Sequence, residues 1–377
     1  MEPPKAMEFT VNKSDLVREL SLSQGVVEKK TTIPILSNIL LEARDGTVFL
    51  TATDLELGIR CSCPAKVKKE GAGTVPAKRL LDYVRLLPDS EITIKFLENN
   101  WANLTCGRTK TKMAGMSRES FPELPQMPAP SAALPCGLLS SMIARTSFAI
   151  SVEESRFTLN GALLIIKPEA AVMVSTDGHR LAFVEQQLET EEQPQPMRVL
   201  VPKKAMSEIS RLSQESGADS MAMLAGDENH LFFRFGDRML ITRKLSGNFP
   251  DFERVLPQDN SQHAVLERDE IKAAVERVSQ FADERSRAIR INFAPGEVKV
   301  FTSSVETGES EEIVSTDYAG PEIDIGFNAQ YLLDFLRVIP QQQVSFQLKD
   351  ARSAGELTPA GDANHTRYRY VVMPMRI

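Results

Sequence analysis

The chain repeats itself three times at one spacing. "VPAKRLLDYVRLLP" begins at Val75, "VPKKAMSEISRL" at Val201 and "FNAQYLLDFLRVIP" at Phe327, with the starts 126 residues apart both times. Each segment opens near a Pro or Asn and carries apolar residues at i, i+3 and i+4, the period of a helix with one buried face. The expected stripe is Leu80, Leu81, Val84 and Leu87 in the first copy, and Leu332, Leu333, Leu336 and Val338 in the third. Phe121-Pro122, Phe249-Pro250 and Met373-Pro374 follow the three helices, and further helix starts precede them at Asn12, Pro135 and Glu267. Between the paired helices, short runs such as "NILLEA", "AVMVSTD" and "AIRINFA" read as strands at hairpin spacing.

A unit that recurs at fixed spacing is one fold copied. The expectation is therefore α+β: three tandem copies of a domain with two helices and about eight strands in antiparallel sheets. The boundaries fall at a flexible leader, 1–6, and at domains 7–126, 127–256 and 257–377. Pro-rich "PELPQMPAPSAALP" and "RVLPQDNSQHAV" supply stiff connectors.

The net charge of −7 argues against a polyanionic partner only if the charges are spread evenly. They are not. Bases gather on the predicted helices: Lys13, Arg18, Lys78, Arg79 and Arg85 in the first copy, Arg145, Lys203, Lys204 and Arg211 in the second, Lys272, Arg277 and Arg337 in the third. Acids crowd the loops, as in "LETEEQ" and "ETGESEE". A basic surface on an acidic chain would grip phosphates without reading bases. Arg108, Lys110 and Lys112 alternate, so they share one face of a strand. Charge of that kind protects a sheet edge, which is also where a second subunit could add.

Chemistry is harder to find. The four His are scattered, and no nucleophile elbow, phosphate loop or zinc-protease motif occurs. Cys61 and Cys63 have no second Cys/His pair nearby, so no metal site is expected. Four Cys without a disulfide framework suit a reducing cytoplasm, and no apolar run is long enough to span a membrane. The exception is "STDGHRLAF", where Asp177, His179 and Arg180 crowd a Gly turn. Thr176-Asp177 echoes Thr53-Asp54 in the first copy, so that pair reads as an Asx-turn scaffold. Gly178-His179-Arg180 is special to the second copy. A His in a turn is more often structural than catalytic, and no catalytic residue or cofactor is expected.

The chain resembles the bacterial DNA polymerase III beta subunit family, the sliding clamps. "IPILSNILLEA", "LNGALLI", "STDGHRLAF", "GNFPDFERVLP", "IGFNAQYLLDFL" and "YVVMPMRI" come in that family's order and spacing from Met7 to Ile377. The resemblance implies clamp-type domains closing as a head-to-tail homodimer into a six-domain ring. Such a ring encircles double-stranded DNA without sequence preference and tethers the replicative polymerase. A clamp loader complex, other polymerases and repair proteins would dock through short Gln/Leu/Phe-type motifs. The alternative is a clamp-like DNA-binding regulator that tethers no polymerase.

By the same resemblance the partner-peptide groove maps onto Leu159, Thr176, Gly178, His179, Arg180, Leu181, Pro250, Arg254 and Val255. Asn328 and Tyr331 flank it, and the tail Val371, Val372, Met373, Pro374, Met375 and Arg376 closes it. In that mapping His179 and Arg180 offer donors at the rim. DNA-contacting positions are Arg18, Lys30, Lys78, Arg85, Lys203, Lys204 and Arg211, with Arg156 and Phe157 in a loop beside the hole. Arg108 and Lys110 match one side of the dimer interface, and Phe281 matches the other. The sequence departs from the family pattern at Ser286, Arg352 and Ile377.

Overall fold

Six helices occupy the positions the repeat requires: α1 (Lys13–Ser23), α2 (Ala77–Leu86), α3 (Cys136–Thr146), α4 (Lys203–Ser216), α5 (Arg268–Val278) and α6 (Ala329–Val338). They belong to a computed structural model that describes residues 7–27, 32–189, 194–361 and 365–376. The leader 1–6, Lys30 and Ile377 lie outside the described residues. In α2 the inward face is Ala77, Leu80, Leu81 and Val84, all buried, while Leu86 on the opposite face is 85% exposed. In α6 the buried set is Ala329, Leu332, Leu333, Phe335 and Leu336. Val338 is only half-buried, contrary to the sequence stripe. It is the last helical residue, and Phe335 together with Ile339 closes that face instead. Asn328 caps α6 with its side-chain oxygen, which accepts from the Gln330 and Tyr331 amides.

Among the described residues 25 strands form four antiparallel sheets. These divide between two compact units. The first holds residues up to Ser140 together with Lys204–Lys244; the second holds Ser141–Lys203 and everything from Leu245 onward.

In the first unit a five-stranded sheet ends at the strand Thr109–Ala114. Lys110 and Lys112 lie exposed on that edge strand, as their alternation implied. Arg108 does not share their face, because Gly107-Arg108 is the two-residue turn, with Gly107 at φ +56°. The unit's eight-stranded sheet crosses a repeat boundary, with Arg238–Arg243 pairing antiparallel to Leu57–Pro64, Leu240 opposite Ile59. In the second unit Arg180–Gln187 pairs with Thr366–Val372 in the same way, Leu181 opposite Val371. The middle repeat is thus stitched by backbone hydrogen bonds into the sheet of each neighbour. That pairing is why the compact units cut through it.

Helix and sheet in the first unit are also tied by charge. Glu19 of α1 is buried and accepts two hydrogen bonds from Arg238, at 2.7 and 2.9 Å, and one from Arg18 at 3.0 Å. Burial alone would raise its pKa, but the two guanidiniums outweigh that and hold it below the ordinary carboxylate value. The stability this provides is present above the unfolded pKa and is lost as pH falls through the lowered folded one. Between about pH 5 and pH 3 the native chain should therefore lose more thermal stability than a Glu19→Gln variant, read as the change in Tm across that window. Parallel Tm curves for the two proteins would contradict the assignment.

Candidate functional site

The Gly178 turn is built by the two residues that precede it. The Asp177 carboxylate accepts from the His179 and Arg180 amides at 2.9 and 3.1 Å. The Thr176 hydroxyl donates to the Arg180 carbonyl at 2.6 Å and accepts from the Gly178 amide at 3.1 Å. The first repeat makes the same four bonds: the Asp54 carboxylate takes the Glu56 and Leu57 amides, and Thr53 takes the Leu55 amide and donates to the Leu57 carbonyl. The third turn residue is left-handed in both copies, with Leu55 at φ +79° and Gly178 at +89°. Glycine adopts that backbone without strain, and at 178 it also leaves room for Arg156, whose guanidinium would lie 2.8 Å from an added Cβ. The Thr-Asp scaffold read from the repeat is present in both turns.

Arg180 is where the copies part. Its guanidinium pairs with Asp177 at 3.0 Å and with Asp334 of α6 at 2.5 Å, and donates to the Phe148 carbonyl at 2.6 Å. It lies 4.3 Å over the Tyr331 ring and reaches the Tyr370 hydroxyl. Burial opposes the charge, but Tyr370, Asp334 and Asp177 overcome it and raise the pKa above the usual arginine value. Arg180 therefore offers no donor at a rim; its donors are spent inside, locking the turn to α6 and to the strand Thr366–Val372. Tyr370 extends that lock by donating to the Tyr331 carbonyl and stacking on Phe335. His179 is exposed, and its carbonyl accepts from the Met373 amide at 2.9 Å, tying the tail to the turn.

Beside this lock lies an apolar cluster of Leu159, Leu181, Val371, Phe249, Phe252 and Leu256, with Val255 half-buried against it. Four expected groove residues, Leu159, Leu181, Val255 and Val371, thus meet in one place. Pro250 and Arg254 are exposed next to it, with Arg254 ion-paired to Asp251. Val372 points away, because neighbouring strand residues face opposite sides of the sheet. Met373 is 39% exposed, Pro374 and Met375 are half-buried, and Arg376 is exposed. The Asn328 side chain is occupied as a helix cap and Tyr331 lies beneath Arg180. Phe249 was visible only as a repeat marker, and Phe252 and Asp334 carried no signal of their own.

The basic positions are largely engaged. Arg18 pairs with Asp15 and Glu19, Lys78 with Asp82, and Lys204 with Asp54. Arg85 reaches the Ser21 hydroxyl at 3.2 Å. Arg211 donates to the Ser21 and Leu22 carbonyls and pairs with Glu208, so it braces the end of α1. Arg156 pairs with Glu153 and donates to the Asp177 carbonyl at 2.8 Å, while Phe157 beside it is 69% exposed. Lys203 is exposed. Arg145, expected on a solvated helix face, instead lies half-buried over the Tyr368 ring. The expected recurrence of basic faces in all three copies also fails. In α2, bases outnumber acids three to one, in α4 three to two, and α3 has one base and no acid. In the third repeat Lys272, Arg277 and Arg337 pair with Asp269, Glu312 and Glu276, leaving α5 and α6 neutral.

Among the described residues no group of three His, Cys, Asp or Glu is placed to hold a metal, and no helix is long and apolar enough to cross a membrane. All four Cys are free and buried. Burial and the Glu19 charge push the Cys63 thiol up to about 12.

These features define a threefold repeat protein whose distinctive residues build surfaces and joints. The sequence matches the DNA polymerase III beta subunit N-terminal domain over residues 7–125, its central domain over 133–251 and its C-terminal domain over 253–376. It is 35% identical over 377 residues to the beta sliding clamp of Pseudomonas putida, covering 98% of this chain and all of the relative. It is 32% identical to that of Chlamydia trachomatis, covering 99% of this chain and 88% of the relative. A Pseudomonas aeruginosa DnaN sliding clamp bound to griselimycin superposes with a TM-score of 0.91 at 34% identity, covering 99% and 100% of the two chains. The chain belongs to the DNA polymerase III beta subunit family. Its function is that of a DNA sliding clamp, which implies a non-catalytic processivity factor.

Removing the Arg180 side chain leaves Asp177 and Asp334 facing each other without their cation. Arg180→Met should destabilise the second unit by about 3–5 kcal/mol in urea titrations. Adding Asp334→Asn should recover part of that loss; strict additivity of the two changes would argue against the lock.

Proposed function

We propose that two copies of this chain close head to tail around duplex DNA, and that partner proteins dock where the apolar cluster meets the tail. The observation that carries the docking reading is the tail itself. Its backbone is fixed to the His179 carbonyl, yet Met373 remains exposed two residues beyond Val371, which packs in the cluster with Leu159 and Leu181. Adaptable apolar side chains on a fixed backbone suit a short peptide with an apolar end. In this reading Thr176, Gly178 and Arg180 shape the site from behind, while His179, Pro250, Arg254 and Arg376 face the partner. The replicative polymerase, the clamp loader and repair proteins are the occupants the family favours. The domains run 7–126, 127–256 and 257–377.

Ring closure would use two sheet edges. The edge strand Thr109–Ala114 presents Lys110 and Lys112, with Arg108 in its turn. The edge strand Gly308–Ser315 presents Glu309 and Glu311, with Phe281 39% exposed near its start. Opposite charges on two unpaired edges favour strand addition between copies and disfavour pairing of like edges. DNA would meet Lys78, Arg85, Lys203 and Lys204, with Arg18, Arg211, Arg156 and Phe157 nearby and Lys30 outside the described residues. Many of these bases already have acid partners, so phosphate contacts would be few and exchangeable.

Light scattering should give a dimer of about twice 41.8 kDa. A Lys110→Glu, Lys112→Glu variant should shift it to monomer, and an unchanged mass would sink the edge assignment. A Gln-containing peptide ending in Leu or Phe should bind the full chain, with His179→Ala about tenfold weaker. Deleting residues 373–377 should abolish that binding; undiminished affinity would place the docking site elsewhere. Protein loaded on a closed DNA circle should resist salt and be released when the circle is cut. Retention on the linear product would refute encirclement.

A further inference from the structure

The second helix of every repeat carries an acid at one fixed position: Asp82, Glu208 and Asp334, 126 residues apart both times. Between the second and third repeats Asp334 is the far anchor of the Arg180 lock. Between the first and second repeats Glu208 takes that place with a different arginine. It is buried and pairs with Arg211, one turn further along α4. The first repeat has no repeat before it in the chain. There Asp82 is exposed and, among the described residues, pairs only with Lys78 of its own helix. The acid is drawn inward where the chain has a joint and stays in solvent where it has none.

Arg211 does more than neutralise Glu208. It donates from Nη1 to the Ser21 carbonyl at 2.8 Å and from Nη2 to the Leu22 carbonyl. Both carbonyls lie in the last turn of α1, where amides run out and the helix dipole gathers negative charge. α1 has no base of its own there, so the second repeat supplies the cation. Past that helix end the chain runs so close to α4 that a Cβ on Gly25 would collide with the Glu208 carboxylate. Gly25 does not have a left-handed backbone, so its smallness is what the position uses. Two residues before Ser21, Glu19 is held by Arg238, also of the second repeat. Two arginines of one repeat thus grip one helix of the other, inside the first compact unit.

We propose that Arg211 is a positioning residue for ring closure: with Glu208, Gly25 and the end of α1 it stiffens the first joint, so that two copies can meet at both pairs of edges at once. This rests on the head-to-tail ring argued above. In such a ring the first contact between copies makes the second an intramolecular step, and its effective concentration depends on the stiffness of what lies between. A head-to-tail contact closes only if the turn within each copy is fixed. A joint that flexes therefore weakens the dimer without touching either edge. Both terminal nitrogens of Arg211 are engaged and its Nε is buried, which suits a brace better than a phosphate contact.

Dimer dissociation of the full-length protein, followed by analytical ultracentrifugation over a dilution series below the onset of melting, reads the joint. Arg211→Met should raise the dimer Kd about tenfold, through the lost effective concentration. Arg211→Lys keeps the charge but not the fork, so its dimer Kd should fall between. Gly25→Ala removes no charge, yet should weaken the dimer by pushing Glu208 off Arg211. All three should keep the salt slope of binding to linear duplex. Unchanged dimer Kd in Gly25→Ala and Arg211→Lys would overturn the proposal, even if Arg211→Met failed to fold. A lowered Tm with the dimer intact would reduce Arg211 to a stabilising contact and overturn it too. A salt slope reduced by about one in Arg211→Met, with the dimer unchanged, would return Arg211 to the DNA contacts. A monomeric wild type would sink the ring itself. A dimer split by Lys110→Glu, Lys112→Glu but indifferent to the joint variants would sink this proposal alone.

Discussion

An unpaired sheet edge inside a repeat protein must be covered, and here the covering is done by the next repeat. Arg238–Arg243 takes Leu57–Pro64 as its neighbour, and Arg180–Gln187 takes Thr366–Val372. Each pairing makes one eight-stranded sheet out of parts of two copies. Backbone hydrogen bonds at a repeat boundary fix register as well as distance, because a slip by one residue would turn every side chain to the wrong face. The repeats are thereby joined more rigidly than the Pro-rich connectors alone could achieve. Among the edges left over in the described sheets, Thr109–Ala114 and Lys66–Lys69 are basic and Gly308–Ser315 is acidic.

The joint between the second and third repeats shows how an apolar surface can be held from behind by an ionic lock. Leu181 faces the apolar cluster, while Arg180, one residue earlier, goes to the other side and is consumed by Asp177, Asp334 and Tyr331. Strand alternation makes this division of labour automatic. The same stretch supplies an apolar wall and the ionic lock that fixes the wall to α6 and to the tail strand. A buried arginine with two carboxylates is not an efficient source of stability, since desolvation offsets much of the attraction. It is a good source of uniqueness, since misplacing the turn would strand three charges.

Much of this was legible from the sequence because it repeats. Helix positions, strand spacing and the scaffold role of Thr176-Asp177 all follow from comparing the chain with itself. The Thr53-Asp54 turn makes the same four hydrogen bonds. What was not legible is what happens once. Asp334 lies 154 residues from Arg180 and has no patterned counterpart, so its pairing appears only when the chain is folded. Arg145 sits at a helix position that reads as solvated, but the strand carrying Tyr368 passes over it. The basic faces were misjudged for a related reason: a sequence shows where cations lie along a helix and not which carboxylates fold against them, as Glu312 does against Arg277.

That pairing bears on how a clamp can hold DNA and still move. A surface of free cations would bind phosphates tightly, and each step along the duplex would require breaking several strong contacts at once. In the proposed DNA contact, Lys78 and Lys204 each bring a carboxylate already in place, so a phosphate would replace an existing partner instead of filling a vacancy. For Lys78 and Asp82, both exposed, the exchange would cost little, because an exposed ion pair is worth only about 0–1 kcal/mol; Asp54 is largely buried, so giving up Lys204 would cost more. Weak, interchangeable contacts suit sliding, provided that something else prevents escape. In the closed ring proposed for this chain that something would be topology, and the cationic side chains would need only to keep the DNA loosely in place.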